Sequence, residues 1–131
     1  VGQASGSVNG AWKASDWVPS LIRSSIYLKC LPDSNKTVSW MPADLVAASI
    51  PEMRNASPPV LHLASPIPVA WRTLFTPISE ILGLPLVPYH TWLDSLEHSD
   101  IVEHRDRIKT DKLLPDNPAL LLLDFFRSAA R

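Results

Sequence analysis

Val38-Ser39-Trp40-Met41-Pro42-Ala43-Asp44-Leu45-Val46-Ala47-Ala48-Ser49-Ile50 is the stretch that decides the fold class. It predicts a short strand over 38–40 that turns at once into a helix running to Ile50 or Met53. Pro42 suits a first helical turn, where a missing N–H costs little. Asp44 then sets a negative charge at the positive end of the helix dipole. Leu45, Val46 and Ile50 share one face at a period of 3.6 residues. A second strand is expected at Val60-Leu61-His62-Leu63, followed by the turn Ser65-Pro66-Ile67-Pro68. The next helix carries the apolar stripe Leu74, Phe75, Ile78, Leu82 and ends at Gly83. Pro77 interrupts that stripe and predicts a kink or a division of the helix.

Reading outward, Val1-Gly2-Gln3-Ala4-Ser5-Gly6 is a buried strand over 1–5, already under way where the chain opens. Gly6 and Gly10 loosen the loop behind it. Ser15 or Asp16 caps a helix through about Ser25, with Pro19 in its first turn. Leu31-Pro32-Asp33-Ser34-Asn35 reads as a turn, Leu86-Val87-Pro88 as extended, 91–96 as a short helix and 99–112 as a charged surface stretch. Asn117 and Pro118 start a last helix over 119–129. It is apolar almost all round from Leu120 to Phe126, so it needs neighbours on several sides. Short strands alternating with helices define the α/β class. Three or four strands are too few for a complete doubly wound sheet. The expectation is a single partial α/β domain over 1–131.

Composition narrows the function. A chain of 131 residues with 46% apolar and 19% charged residues can bury a core. A net charge of -1 with no basic stripe provides no general attraction to nucleic acid or to an anionic membrane. No apolar run approaches the roughly 20 residues of a membrane span. Cys30 is the one cysteine, so no internal disulfide can form, and a reduced, cytoplasmic setting is expected. The 13 prolines, spread between apolar segments, argue for short elements and many turns.

Several stretches together resemble the terminal thioester reductase domains of fungal nonribosomal-peptide-synthetase-like enzymes, which are extended short-chain dehydrogenase/reductases. The resemblance lies in Val1-Gly2-Gln3-Ala4-Ser5-Gly6, Asn9-Gly10-Ala11-Trp12 and Asp16-Trp17-Val18-Pro19. It continues in Val38-Ser39-Trp40-Met41-Pro42-Ala43-Asp44 and His62-Leu63-Ala64-Ser65-Pro66-Ile67-Pro68-Val69-Ala70-Trp71, then in Gly83-Leu84-Pro85-Leu86-Val87-Pro88-Tyr89 and Asn117-Pro118-Ala119. It covers nearly the whole chain and is weakest over 99–116. What it implies is the C-terminal part of an extended Rossmann-type reductase with a mostly helical substrate-binding subdomain. The reaction implied is NADPH-dependent reduction of an acyl thioester held on the phosphopantetheine arm of a carrier protein. The product is an aldehyde, or an alcohol after further reduction.

The same resemblance implies that the glycine-rich cofactor loop and the catalytic tyrosine and lysine precede this segment. The residues agree: Gly2, Gly6 and Gly10 are spaced by four, unlike the dinucleotide fingerprint. Neither Tyr27 nor Tyr89 begins a Tyr-x-x-x-Lys motif. No catalytic residue is therefore assigned, and the chain alone is expected to be inactive without an upstream nucleotide-binding half. Ligands in open α/β sheets sit outside the carboxyl ends of strands. That makes Gly2, Gln3, Ser5 and Gly6 the candidates for the edge of the cofactor site, and Trp12 and Trp17 the candidates for an acyl pocket. Plain turn glycines and packing aromatics are the competing readings. Trp40 and Trp71 are expected to pack between layers. His62, in an apolar strand, is expected to be a hydrogen-bonded core histidine. His98, Asp100, Glu103 and His104 match no zinc motif, so no metal site is assigned. An alternative from another class is a non-catalytic module that docks a carrier protein or a partner domain.

Overall fold

The computed structural model describes residues 3–6, 10–105 and 116–130. Its chain divides into two compact units, Val1–Trp12 with Lys36–Ala70, and Lys13–Asn35 with Trp71–Arg131. Short strands and helices alternate along the sequence, as an α/β chain requires.

In the first unit, β1 (Ala4–Ser5) lies parallel to β4 (Met41–Pro42), with Ala4 opposite Met41 and Ser5 opposite Pro42. The Met41 N–H donates to the Gln3 carbonyl at 2.9 Å. β3 (Thr37–Val38) lies antiparallel to β5 (Val69–Ala70). The strand expected at 38–40 is thus two short strands with different partners. α2 (Ala43–Met53) follows β4 without a linker and carries Asp44 in its first turn, as expected. The face shared by Leu45, Val46 and Ile50 is not buried. Leu45 is 52% exposed, Ile50 is 56% exposed, and none of its residues is buried.

The strand expected over 60–63 does not form, and Val60 is 69% exposed. Pro58 and Pro59 directly before it lack N–H donors. Val69–Ala70, beyond the proline turn, takes the place beside β3 instead. His62 is consequently exposed rather than a core histidine. β1 itself is half-buried, and residues 1 and 2 of the expected strand lie outside the described residues.

The second unit holds the larger core. α1 (Trp17–Leu28) ends where Lys29 takes a left-handed φ of 62° and returns its N–H to the Ser25 carbonyl. That turn delivers the chain into β2 (Leu31–Asp33), so the segment read as a turn is a buried strand. β2 runs parallel to β6 (Leu86–Pro88) in the register Leu31–Leu86, Pro32–Val87, Asp33–Pro88. Burial of Leu31 and Pro32 outweighs the poor strand propensity of Pro-Asp, which local sequence weighs alone.

α3 (Trp71–Leu82) is one helix through Pro77, not two, anchored on buried Trp71 and Phe75. Gly83, with φ of 64°, ends it. α4 (Tyr89–Arg105) is longer than the expected 91–96 and absorbs the start of the charged stretch. The last segment begins as a 3₁₀ turn (Pro118–Leu122) and becomes α-helical only in α5 (Leu123–Ala129). Asn117 does not cap it with its side chain. That side chain is buried and donates from Nδ2 to Ser99 Oγ at 2.9 Å. Val18, Leu21, Leu31, Trp71, Phe75, Trp92, Leu93, Leu96, Ala119 and Phe126 form the apolar core of this unit.

Candidate functional site

β1 and β4 are parallel, so their carboxyl ends point the same way. One leads into Gly6 and the other into the start of α2. Gly6 is held by its own loop. Its N–H donates to the Ala11 carbonyl at 2.9 Å. A Cβ placed there would lie 2.5 Å from that oxygen and 2.7 Å from the Ala11 nitrogen. The close approach that demands glycine at this position is therefore made by Ala11. Gly10 takes a left-handed φ of 65°, a conformation that favours glycine.

The fold-back brings Trp12 edge-on to Trp40, with ring centroids 5.6 Å apart and planes at 84°. The indole nitrogen of Trp12 is buried and has no hydrogen-bond partner among the described residues. Gln3 is half-buried and its Nε2 donates to the Ala4 carbonyl at 3.2 Å. Ser5, at the end of β1, is half-buried. Gly2 lies outside the described residues.

Trp17 belongs to the second unit, whereas Trp12 belongs to the first. Trp17 is half-buried in a run of rings. It stacks on Trp71 at 6.4 Å and meets Phe125 at 5.8 Å, while Trp71 stacks on Phe75 at 3.9 Å. Trp71 is in the core, and its Nε1 donates to the Pro32 carbonyl at 2.8 Å.

Sequence reasoning missed three features of this unit. The first is the pairing of Arg72 with Asp33, in which Nε and Nη2 of the guanidinium both reach the carboxylate at the carboxyl end of β2. The guanidinium beside Asp33 holds its carboxyl below the ordinary aspartate pKa. The second is a seam of buried serines on α1. Ser25 Oγ accepts the Trp92 indole N–H at 2.9 Å, and Ser24 Oγ accepts the Ala119 N–H at 2.9 Å. The third is Tyr89, whose hydroxyl donates to the Phe126 carbonyl at 3.2 Å. Burial pushes its pKa up to about 12, which suits a structural phenol rather than an acid or base near neutrality. No local pattern signals these pairs, because 39, 67, 95 and 37 residues separate the partners.

Cys30 is half-buried and burial raises its pKa, which keeps it a thiol at neutral pH. His98 is exposed, and the side chains of Asp100, Glu103 and His104 lie outside those described. Among the described residues no three histidine, cysteine or carboxylate side chains gather as a metal ion would require. No described helix is long and apolar enough to cross a membrane.

No family model matches the chain, but individual proteins do. It is 41% identical over 129 residues to the adenylate-forming reductase Nps10 of Heterobasidion annosum, a match covering 98% of this chain and 12% of that protein. The adenylate-forming reductase Nps11 of Serpula lacrymans is 36% identical over 143 residues, covering 100% of the chain and again 12% of the relative. The chain is homologous to a segment of the adenylate-forming reductases. It spans about an eighth of their length.

The chain is also similar to part of the non-reducing polyketide synthase SAT8 of Stachybotrys chartarum, at 30% identity over 132 residues. That match covers 95% of the chain and 5% of the synthase.

Proposed function

We propose that this chain is the substrate-side portion of an NADPH-dependent thioester reductase of the extended short-chain dehydrogenase/reductase type. The parent enzyme releases an acyl group from the phosphopantetheine thioester of a carrier protein as an aldehyde or an alcohol. The observation that carries this reading is 41% identity, across 98% of the chain, to a protein named a reductase.

The residues present suit the rim of a cofactor site and not its phosphate cradle. Ser5 offers a hydroxyl at the carboxyl end of a parallel pair, but Ala11 fills the space beside Gly6 and Gln3 is turned onto Ala4. The phosphates then need a glycine-rich loop elsewhere in the polypeptide. NADPH, when bound, supplies the hydride that reduces the acyl carbon, and loss of the carrier thiol then leaves the aldehyde. Ser5 and the Gln3 backbone border the nicotinamide end of the crevice. Trp12, braced by Trp40, forms an apolar wall that keeps water from the acyl chain.

The test is turnover by the full-length protein that carries this chain. With an acyl group loaded on its carrier domain, nicotinamide absorbance falls and aldehyde or alcohol appears in step with it. Acyl release by hydrolysis, with NADPH unchanged, rules the reading out.

A further inference from the structure

Three serine or threonine residues of this chain stand directly before a proline: Ser57, Ser65 and Thr76. The fold treats them differently. Thr76 lies inside α3, which runs unbroken through Pro77. Ser65 is half-buried and engaged. Its Oγ donates to the Ile67 carbonyl at 3.1 Å, and its backbone N–H donates to the Ser39 carbonyl at 3.5 Å. Ser57 is exposed, belongs to no helix or strand, and its hydroxyl has no hydrogen-bond partner among the described residues. Every residue from Arg54 to His62 is exposed with it. They belong to the connection between α2 and β5, residues 54–68. A loop beyond roughly 12–15 residues without secondary structure is uncommon unless it carries function or serves as a linker.

A charge stands at a fixed spacing from Ser57. Arg54, three residues before it, is the single lysine or arginine between Lys36 and Arg72. Its side chain is exposed and makes no ion pair among the described residues. Ser65 has His62 at that spacing and Thr76 has Thr73, so neither has the cation. The Ala56 N–H donates to the Met53 carbonyl at 3.1 Å, a turn that leads the chain off the end of α2. Pro58 and Pro59 then fix φ and offer no N–H, and a residue before proline is kept out of the helical region. Ser57 is thus a free hydroxyl on non-helical backbone, with a free cation before it and a stiff, donor-free pair after it. A protein kinase takes its acceptor in this form, laid as an irregular segment across the active site.

We propose that Ser57 is a phosphorylation site for a serine/threonine kinase that selects arginine three residues before its acceptor and proline directly after it. The Ser57 Oγ attacks the γ-phosphorus of MgATP and the bond from that phosphorus to the β–γ bridging oxygen breaks. ADP leaves, and the hydroxyl proton passes to the catalytic aspartate of the kinase. Arg54 pairs with carboxylates of the kinase, as a bidentate guanidinium does. The phosphoserine then places about two negative charges just past the C-terminal end of α2, which the helix dipole disfavours, and Arg54 is the neighbouring cation that offsets them. None of this depends on which reaction the protein catalyses.

The full-length protein is incubated with MgATP and a purified kinase of that selectivity, and its phosphopeptides are mapped by mass spectrometry. Cleavage after Arg54 and Arg72 gives one peptide, Asn55–Arg72, that holds both Ser57 and Ser65, and its fragmentation tells them apart. One phosphoryl group is expected on Ser57, at an initial rate about tenfold or more above Ser65 and Thr76, which must first unfold locally. Arg54→Ala should slow labelling of Ser57 by about tenfold, as for the loss of one charge-assisted contact. Ser57→Ala should remove the label and leave the thermal midpoint unchanged, since Ser57 is exposed. No label on Ser57, equal labelling of Ser65 or Thr76, or full-rate labelling of the Arg54→Ala protein overturns the proposal. So does the absence of phosphate at Ser57 in protein recovered from its natural producer, with phosphatases inhibited, through both growth and starvation.

Discussion

The indole N–H of Trp71 donates to the carbonyl oxygen of Pro32 at 2.8 Å, tying the first turn of α3 to the middle of β2. Both residues are buried, so neither group has water as an alternative. Trp71→Phe keeps a ring against Phe75 but strands that carbonyl. The expected cost is about 1–3 kcal/mol, the penalty for an unpaired buried polar group. Urea denaturation followed by tryptophan fluorescence measures it.

Trp12 provides the contrast. Its Nε1 is buried without a partner among the described residues, so Trp12→Phe removes an unsatisfied donor rather than a hydrogen bond. It is expected to destabilise the protein less than Trp71→Phe, although the two substitutions delete the same atoms. The same urea series makes the comparison, and an equal or larger cost at Trp12 contradicts it.

On the proposed function, Trp12→Ala in the full-length protein is expected to raise KM for the acyl thioester by about one order of magnitude, from loss of roughly 1–3 kcal/mol of apolar contact. KM for NADPH should stay within about twofold, since the proposed acyl wall would touch one ligand and not the other. Steady-state kinetics with each substrate varied in turn is the measurement. Parallel losses for both ligands assign Trp12 to the fold.

Ser24→Ala and Ser25→Ala each leave a buried N–H without its acceptor, that of Ala119 in one case and that of the Trp92 indole in the other. Each is expected to cost about 1–3 kcal/mol, offset by roughly 0.5 kcal/mol of alanine helix propensity. Ser49→Ala on exposed α2 is the control, and should be neutral or slightly stabilising. Chemical denaturation of the three variants ranks them.

Asp33 sets a pH dependence at the acid end. Arg72 lowers its folded-state pKa, through hydrogen bonding first and charge attraction second. Its contribution is therefore complete above about pH 4, the unfolded value, and disappears as the pH falls through the lower folded value. The effect is small, because Arg72 is 66% exposed and water screens the pair. Asp33→Asn should flatten the thermal midpoint against pH in that acid window and leave it unchanged near neutrality. Calorimetry across the window tests this.

Much of the chain is legible in its local sequence. The α2 start at Pro42–Asp44, the Gly83 stop of α3, the extended Leu86–Pro88 and the proline turn at 65–68 all follow from φ restriction, missing N–H donors and the helix dipole. These are properties of a residue and its near neighbours. The α/β alternation is likewise local in origin. The glycines at 6 and 10 mark a loop after β1 in the sequence, but that the Ala11 backbone is what approaches Gly6 is seen only in the structure.

Long-range contact decided the rest. Leu31-Pro32-Asp33 has the composition of a turn and becomes a strand because β6 lies beside it and a core lies beneath. Val60-Leu61-His62-Leu63 has the composition of a strand but forms none, and Val69–Ala70 pairs with β3 instead. Pro77 does not divide α3, since Trp71 and Phe75 hold its first turns in place. The serines of α1, the Asp33–Arg72 pair and the Tyr89 hydroxyl acquire roles only when partners 37 to 95 residues distant arrive. Dihedral preference and dipole act within one turn of chain and are written in sequence. Burial, strand pairing and the satisfaction of buried polar groups depend on which segments meet, and tertiary structure alone determines that.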